Sequence, residues 1–128
     1  MGVAVPERLA WAVLLTRHID SAMEFYREAA GWRFERFEPP EFPYWVARTD
    51  EGEFLAVFVD VSGSNFPDAP ELWLPHFTVD EFDRRIRAAV KQGGTILREP
   101  FEVPGFGRVA ALRQPGGGIV AWRSPPAS

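Results

Sequence analysis

The chain has 128 residues, of which 46% are apolar and 25% charged, and it carries a net charge of −4. A chain of this length makes one domain and buries roughly two-thirds of its unfolded surface, so it folds without disulfides or structural zinc. With no cysteine it has neither thiolate ligands nor a thiol nucleophile, and its acidity argues against nucleic acid or an anionic membrane as partner.

Leu9 to Leu15 is a short apolar run that predicts a buried strand. Ile19, Ala22, Met23, Tyr26, Ala29 and Ala30 then recur at spacings of three and four, the period of a helix. Ser21 with Glu24 fits a capping box at its start, Asp20 is an equally good cap, and Gly31 ends it as a left-handed glycine. Trp32 to Phe37 predicts a half-buried strand, and Pro39, Pro40 and Pro43 impose a loop. Tyr44 to Arg48 and Phe54 to Val61 read as strands around the turn at Asp50 and Gly52. The stretch Ser62 to Pro70 is the most loop-like internal segment. The order then repeats: a strand at Leu72 to Val79, a helical stripe of Phe82, Ile86, Ala89 and Val90, and the glycines Gly93 and Gly94. A strand at Thr95 to Arg98, a Pro/Gly loop from Pro100 to Gly107, and strands at Arg108 to Arg113 and Ile119 to Arg123 complete the second half.

The chain therefore reads as an α+β single domain over residues 1–128, built of two βαβββ modules at about 9–61 and 72–123 with a linker at 62–71. Sliding the first half onto the second places Trp11 on Leu74, Asp20 on Asp83, Gly31 on Gly94 and Phe58 on Ala121. Neither half can bury both faces of its sheet alone, so the helix-free faces are expected to curl into a shared cup. A concave surface of that kind is where a ligand site is expected.

The segment Thr16-Arg17-His18-Ile19-Asp20 through Phe25-Tyr26, with Gly31-Trp32, resembles the vicinal oxygen chelate superfamily of glyoxalases, bleomycin-resistance proteins and ring-cleaving dioxygenases. So do Val79-Asp80 with Asp83, Gly93-Gly94, the run Pro100 to Arg108, and the closing turn Gln114 to Gly118. The resemblance covers about residues 9 to 123. It implies the paired-module cup and, in metal-dependent members, His, Glu or Gln ligands at four cup-facing positions. Carried over by position, those sites are Trp11, Phe58, Leu74 and Ala121, none of which can ligate a metal. A divalent ion needs three or four oxygen or imidazole donors at about 2.0–2.6 Å, and Glu53 and Glu71 fall at strand edges or loops. No metal and no cofactor are therefore expected.

The chain has only two histidines, against five tryptophans and eleven phenylalanines. Alternation places Leu74, His76 and Thr78 on the cup side of their strand, with Phe77 and Val79 under the helix. His76 is read either as a hydrogen-bonded wall residue titrating near neutral pH or as a general base, the only catalytic candidate. His18 reads as a helix-start residue. Trp11, Trp45 and Phe58 are read either as core residues or as stacking surface for a planar or cationic ligand, whereas Trp32, Trp73 and Trp122 fall on the opposite, helix-facing or interface side. Arg123 is placed at the mouth of the cup, either solvated or holding an anionic group. Arg84, Arg85 and Arg87 form the solvent face of the second helix, and Gly116 to Gly118 lack the Lys-Ser/Thr of a phosphate loop and read as a tight turn.

The expectation is a metal-free binder of a small organic molecule, aromatic or amphipathic, held in an apolar cup by Trp11, Trp45 and Phe58 and oriented by His76 and Arg123. The alternatives are a glyoxalase-like lyase, isomerase or dioxygenase with a displaced or absent metal, and a dimeric interaction module. The resemblance also implies a homodimer. No apolar run is long enough to cross a bilayer, and Met1 to Arg8 lacks a signal peptide's charged-then-apolar layout, so a cytoplasmic location is expected.

Overall fold

The computed structural model describes residues 10–38, 42–63, 66, 68–103 and 107–125. The Pro39–Pro40 part of the first loop, three positions of the linker and the tip of the Pro/Gly loop lie outside them. The chain divides into two compact units, one of Ala12–Trp73 and one running from Leu74 onward and including Trp11. Each has the order strand, helix and three strands among the described residues, so the α+β class and the two βαβββ modules are as expected.

In the first unit the elements are β1 (Ala10–Thr16), α1 (Ile19–Ala30), β2 (Arg33–Phe37), β3 (Tyr44–Arg48) and β4 (Phe54–Asp60). The first two residues of β1 belong to the second unit. The strand order is β2-β3-β4-β1, with β1 and β4 parallel and the other pairs antiparallel. A parallel pair needs a long crossover, and here the helix and hairpin between β1 and β4 supply it. Helix α1 lays Ile19 and Met23 on Ala47, Ala56 and Phe58, with Leu14, Trp32, Phe34 and Trp45 packed around them. Burying a ring such as Phe58 is worth about 1.5–3 kcal/mol. Gly31 ends α1 at φ 74°, with its N–H donating to the Arg27 carbonyl. Neither expected start signal caps the helix: His18 occupies the N-cap, and the Ser21 hydroxyl donates back to the His18 carbonyl instead.

The second unit contains β5 (Leu72–Thr78, from Leu74 on), α2 (Phe82–Lys91), β6 (Thr95–Val103), β7 (Gly107–Arg113) and β8 (Ile119–Arg123). Its strand order is β5-β8-β7-β6. Phe82 and Ile86 of α2 pack on Ala110, Leu112, Val120 and Trp122. Strand β6 runs on through Pro100, where a loop was expected. The register slips on both sides of Arg98, and a bulged strand paired on one side only has no ladder bond for proline to break. The arginines of α2 face solvent, with Arg84 and Arg85 bound to Glu81 and Asp80. Gly116 and Gly117 take positive φ in a tight turn closed by the Gln114 N–H on the Gly118 carbonyl. Among the described residues no helix is long and apolar enough to cross a membrane.

Candidate functional site

Because successive side chains alternate across a strand, each sheet has one face under its helix and one free of it. In the second unit the residues under α2 are Ala110, Leu112, Val120 and Trp122. The intervening residues of β7 and β8, Val109, Ala111, Ala121 and Arg123, therefore point the other way. The pairs His76 to Ala121 and Thr78 to Arg123 put His76 and Thr78 on that helix-free face. Trp11, brought in by the start of β1, joins them. Its ring lies 5.5 Å from the His76 imidazole, tilted by 36°, and 4.5 Å from the Arg123 guanidinium carbon.

Arg123 is 0% exposed, so it is not solvated. Although five residues from the end of the chain, it sits on β8, which is flanked on both sides by β5 and β7. One guanidinium nitrogen donates to the Ser124 carbonyl at 3.3 Å, and the Trp11 face covers the cation. Guanidinium suits this position because it is planar, stacks on aromatic rings and is more weakly hydrated than ammonium.

His76 is buried, and its Nδ1 stands 3.3 Å from the Leu74 carbonyl. A carbonyl only accepts, so Nδ1 carries the hydrogen and donates it. Burial first, and then the positive charge of Arg123, lower the imidazole pKa to about 4, with the Leu74 hydrogen bond acting in the opposite direction. His76 is thus neutral at physiological pH rather than titrating there, which makes it a weak base.

Phe58 and Trp45 do not join this group. They face each other across the β3–β4 ladder, and both pack on the helix side with α1. Phe58 meets the Tyr26, Trp32, Phe34 and Trp73 rings edge-on, and Arg36 lies 5.4 Å over Trp45. The expected equivalence of Phe58 with Ala121 is out of step by one residue. Ala121 pairs with His76, whereas Val57, not Phe58, pairs with Val13, and a slip of one residue turns a side chain to the opposite face. The tryptophans Trp32, Trp73 and Trp122 do lie on the helix side.

The helix-free face of the first unit carries different aromatics from those expected. Phe37 and Tyr44 pair across β2–β3 and stack at 5.4 Å with an interplanar angle of 16°, and Phe42 meets Phe66 edge-on at 5.2 Å. Burial raises the Tyr44 pKa, so the phenol is neutral. Choosing the other phase of alternation in Tyr44 to Arg48 would have found this wall.

The metal of the family's metal-dependent members does not fit. Trp11, Leu74 and Ala121 hold no donor, and Phe58 is turned to the helix with Val57 and Val59 in its place. Among the described residues no three His, Asp or Glu side chains converge on a point.

Residues 8–121 match the family model described as the Glyoxalase/Bleomycin resistance protein/Dioxygenase superfamily. A protein of Mycobacterium tuberculosis named as a glyoxylase, CFP32, is 31% identical over 118 residues, covering 91% of this chain and 44% of its own length. The anthracycline biosynthesis protein DnrV of Streptomyces peucetius is 24% identical, covering 92% of this chain and 47% of its own. The chain thus spans less than half the length of these curated relatives. A hypothetical protein from Bacillus halodurans has the same fold, with a TM-score of 0.65 at 14% identity, covering 94% of this chain and 96% of its own. So does a methylmalonyl-CoA epimerase from Streptomyces coelicolor, with a TM-score of 0.63 at 16% identity over 94% and 95% of the two chains.

Proposed function

The chain belongs to the glyoxalase/bleomycin resistance protein/dioxygenase superfamily, and from that premise we propose that it binds a small planar organic molecule without a metal. The observation that carries the reading is the grouping of Trp11, His76 and Arg123 on a sheet face free of its helix. An indole offers a flat apolar plate, a neutral imidazole orients a polar group, and a buried guanidinium sets the sign of the local potential. The similarity to DnrV, named as an anthracycline biosynthesis protein, supports an aromatic ligand. Homodimerisation, implied by the family, is part of the proposal, and sedimentation equilibrium at micromolar concentration tests it.

Calorimetric titration with 2-naphthol, alongside elemental analysis of the purified protein, tests the binding reading. Saturable binding weakened about threefold to thirtyfold in Trp11→Ala is expected, the range for loss of a stacking contact. One tightly held Ni, Zn, Fe or Mn per chain, or no binding of planar aromatics, overturns it.

The similarity to CFP32 favours a second reading, a glyoxalase-like enzyme. A base with a pKa of about 4 is poorly matched to proton abstraction at neutral pH, so His76 serves that reading badly. Turnover of a hemithioacetal, lost in His76→Phe, would establish it.

A further inference from the structure

We infer that the ligand presents a hydroxyl group, phenolic or enolic, whose O–H donates to Nε2 of His76 while its ring lies against Trp11. This rests on the ligand-binding reading above and adds the chemistry of the polar group.

Nδ1 of His76 stands 3.3 Å from the carbonyl of Leu74, two residues earlier on the same strand. Only a nitrogen bearing hydrogen makes that contact, so the neutral ring is the Nδ1–H tautomer and Nε2 holds a bare lone pair. Among the described residues the Leu74 carbonyl is the one hydrogen-bond partner of this ring. The ring stays neutral because it is buried and because Arg123 stands nearby, so a second N–H does not form at Nε2 near neutral pH. A ligand that meets Nε2 must therefore bring a donor; an ether or a carbonyl oxygen would set lone pair against lone pair. The imidazole and the Trp11 ring are neighbours, with centroids 5.5 Å apart, so the donor is placed directly on the aromatic ring that meets the indole. A hydroxyl on an sp² carbon is such a donor.

The test pairs two probes of nearly equal shape, 2-naphthol and 2-methoxynaphthalene, titrated calorimetrically into the full chain at pH 7. The wild type is expected to bind 2-naphthol about tenfold more tightly, the preference that one hydrogen bond supplies, and His76→Phe is expected to bind both alike. Binding of both probes with equal affinity by the wild type overturns the hydroxyl assignment and leaves the ligand reading standing. So does a preference that persists in His76→Phe. Binding of neither probe overturns the ligand reading, and the assignment with it. The tautomer is read independently of any variant by nitrogen NMR of protein labelled at histidine, which is simple with two histidines. A protonated Nδ1 and a bare Nε2 are expected at His76, and the opposite tautomer overturns the inference.

Discussion

The Arg123 guanidinium is centred 4.5 Å from the Trp11 ring, and Arg123 is fully buried. A buried cation is expensive unless polar atoms and polarisable surface replace its water, so this ring helps the protein to keep the charge inside. Trp11→Leu should therefore lower stability by about 2–4 kcal/mol, because it removes both packed area and the cation's cover. Trp11→Phe, which keeps a ring, should cost less. A double-mutant cycle of Trp11→Leu with Arg123→Met, read by urea denaturation, should give a coupling of about 1–2 kcal/mol. A coupling of zero would show that the two side chains are neighbours without being partners.

Phe58 tests which side of the first sheet is only structural. Its ring is 0% exposed and touches α1 and four other aromatic rings. Phe58→Ala should cost about 3–5 kcal/mol in stability. Phe58→Leu, which keeps most of the volume, should cost less and leave ligand affinity within about twofold of wild type. A large loss of affinity in a folded Phe58→Leu protein would return this residue to the site.

The order of elements was legible because its signals are local. The apolar period from Ile19 to Tyr26, the glycine at Gly31 and the turn at Gly52 each act within a few residues. His76 was placed on the helix-free face because its neighbours Phe77 and Val79 marked the other phase. The side of Phe58 was not legible, since Phe54 to Val61 is apolar at nearly every position and alternation has nothing to mark it. Only the ladder settles that, by pairing Val57 with Val13 and Phe58 with Leu14. The burial of Arg123 was hidden for a similar reason. Nearness to the chain end suggests solvent, but the placing of β8 between two strands is a long-range fact.

The residues at the family's metal positions predict indifference to metals. A divalent ion that binds only the folded state raises its stability as RT ln(1 + [L]/Kd), about 2.7 kcal/mol at a hundredfold excess over Kd. With Trp11, Leu74 and Ala121 at three positions and a valine at the fourth, no such gain is expected. Thermal melts with 1 mM Ni²⁺, Zn²⁺ or Mn²⁺, and with EDTA, should coincide within about 1 °C. A rise of several degrees with one of these ions would mean that the chain holds a site built from other residues.

His76 should make stability depend on pH in a window that reaches above the carboxylate range. Unfolded, its imidazole takes up a proton near the ordinary value of 6.5; folded, it does so only at about 4. Between those values the unfolded state binds more protons, so stability falls as the pH drops from about 6.5 toward 4. The loss is on the order of 3 kcal/mol when complete. Below pH 4 both states are protonated and this contribution stays constant. Glu81 also favours folding when ionised, because the Arg84 hydrogen bond lowers its pKa from the ordinary 4.5, and that contribution is lost only toward the low end of this window, below the pH 5.0 limit of the measurement. Urea denaturation at pH 7.0, 6.0 and 5.0 should therefore show a falling midpoint in the wild type and a nearly flat one in His76→Phe. A wild-type midpoint constant from pH 7 to 5 would mean that His76 takes up its proton as readily in the folded state as in the unfolded one.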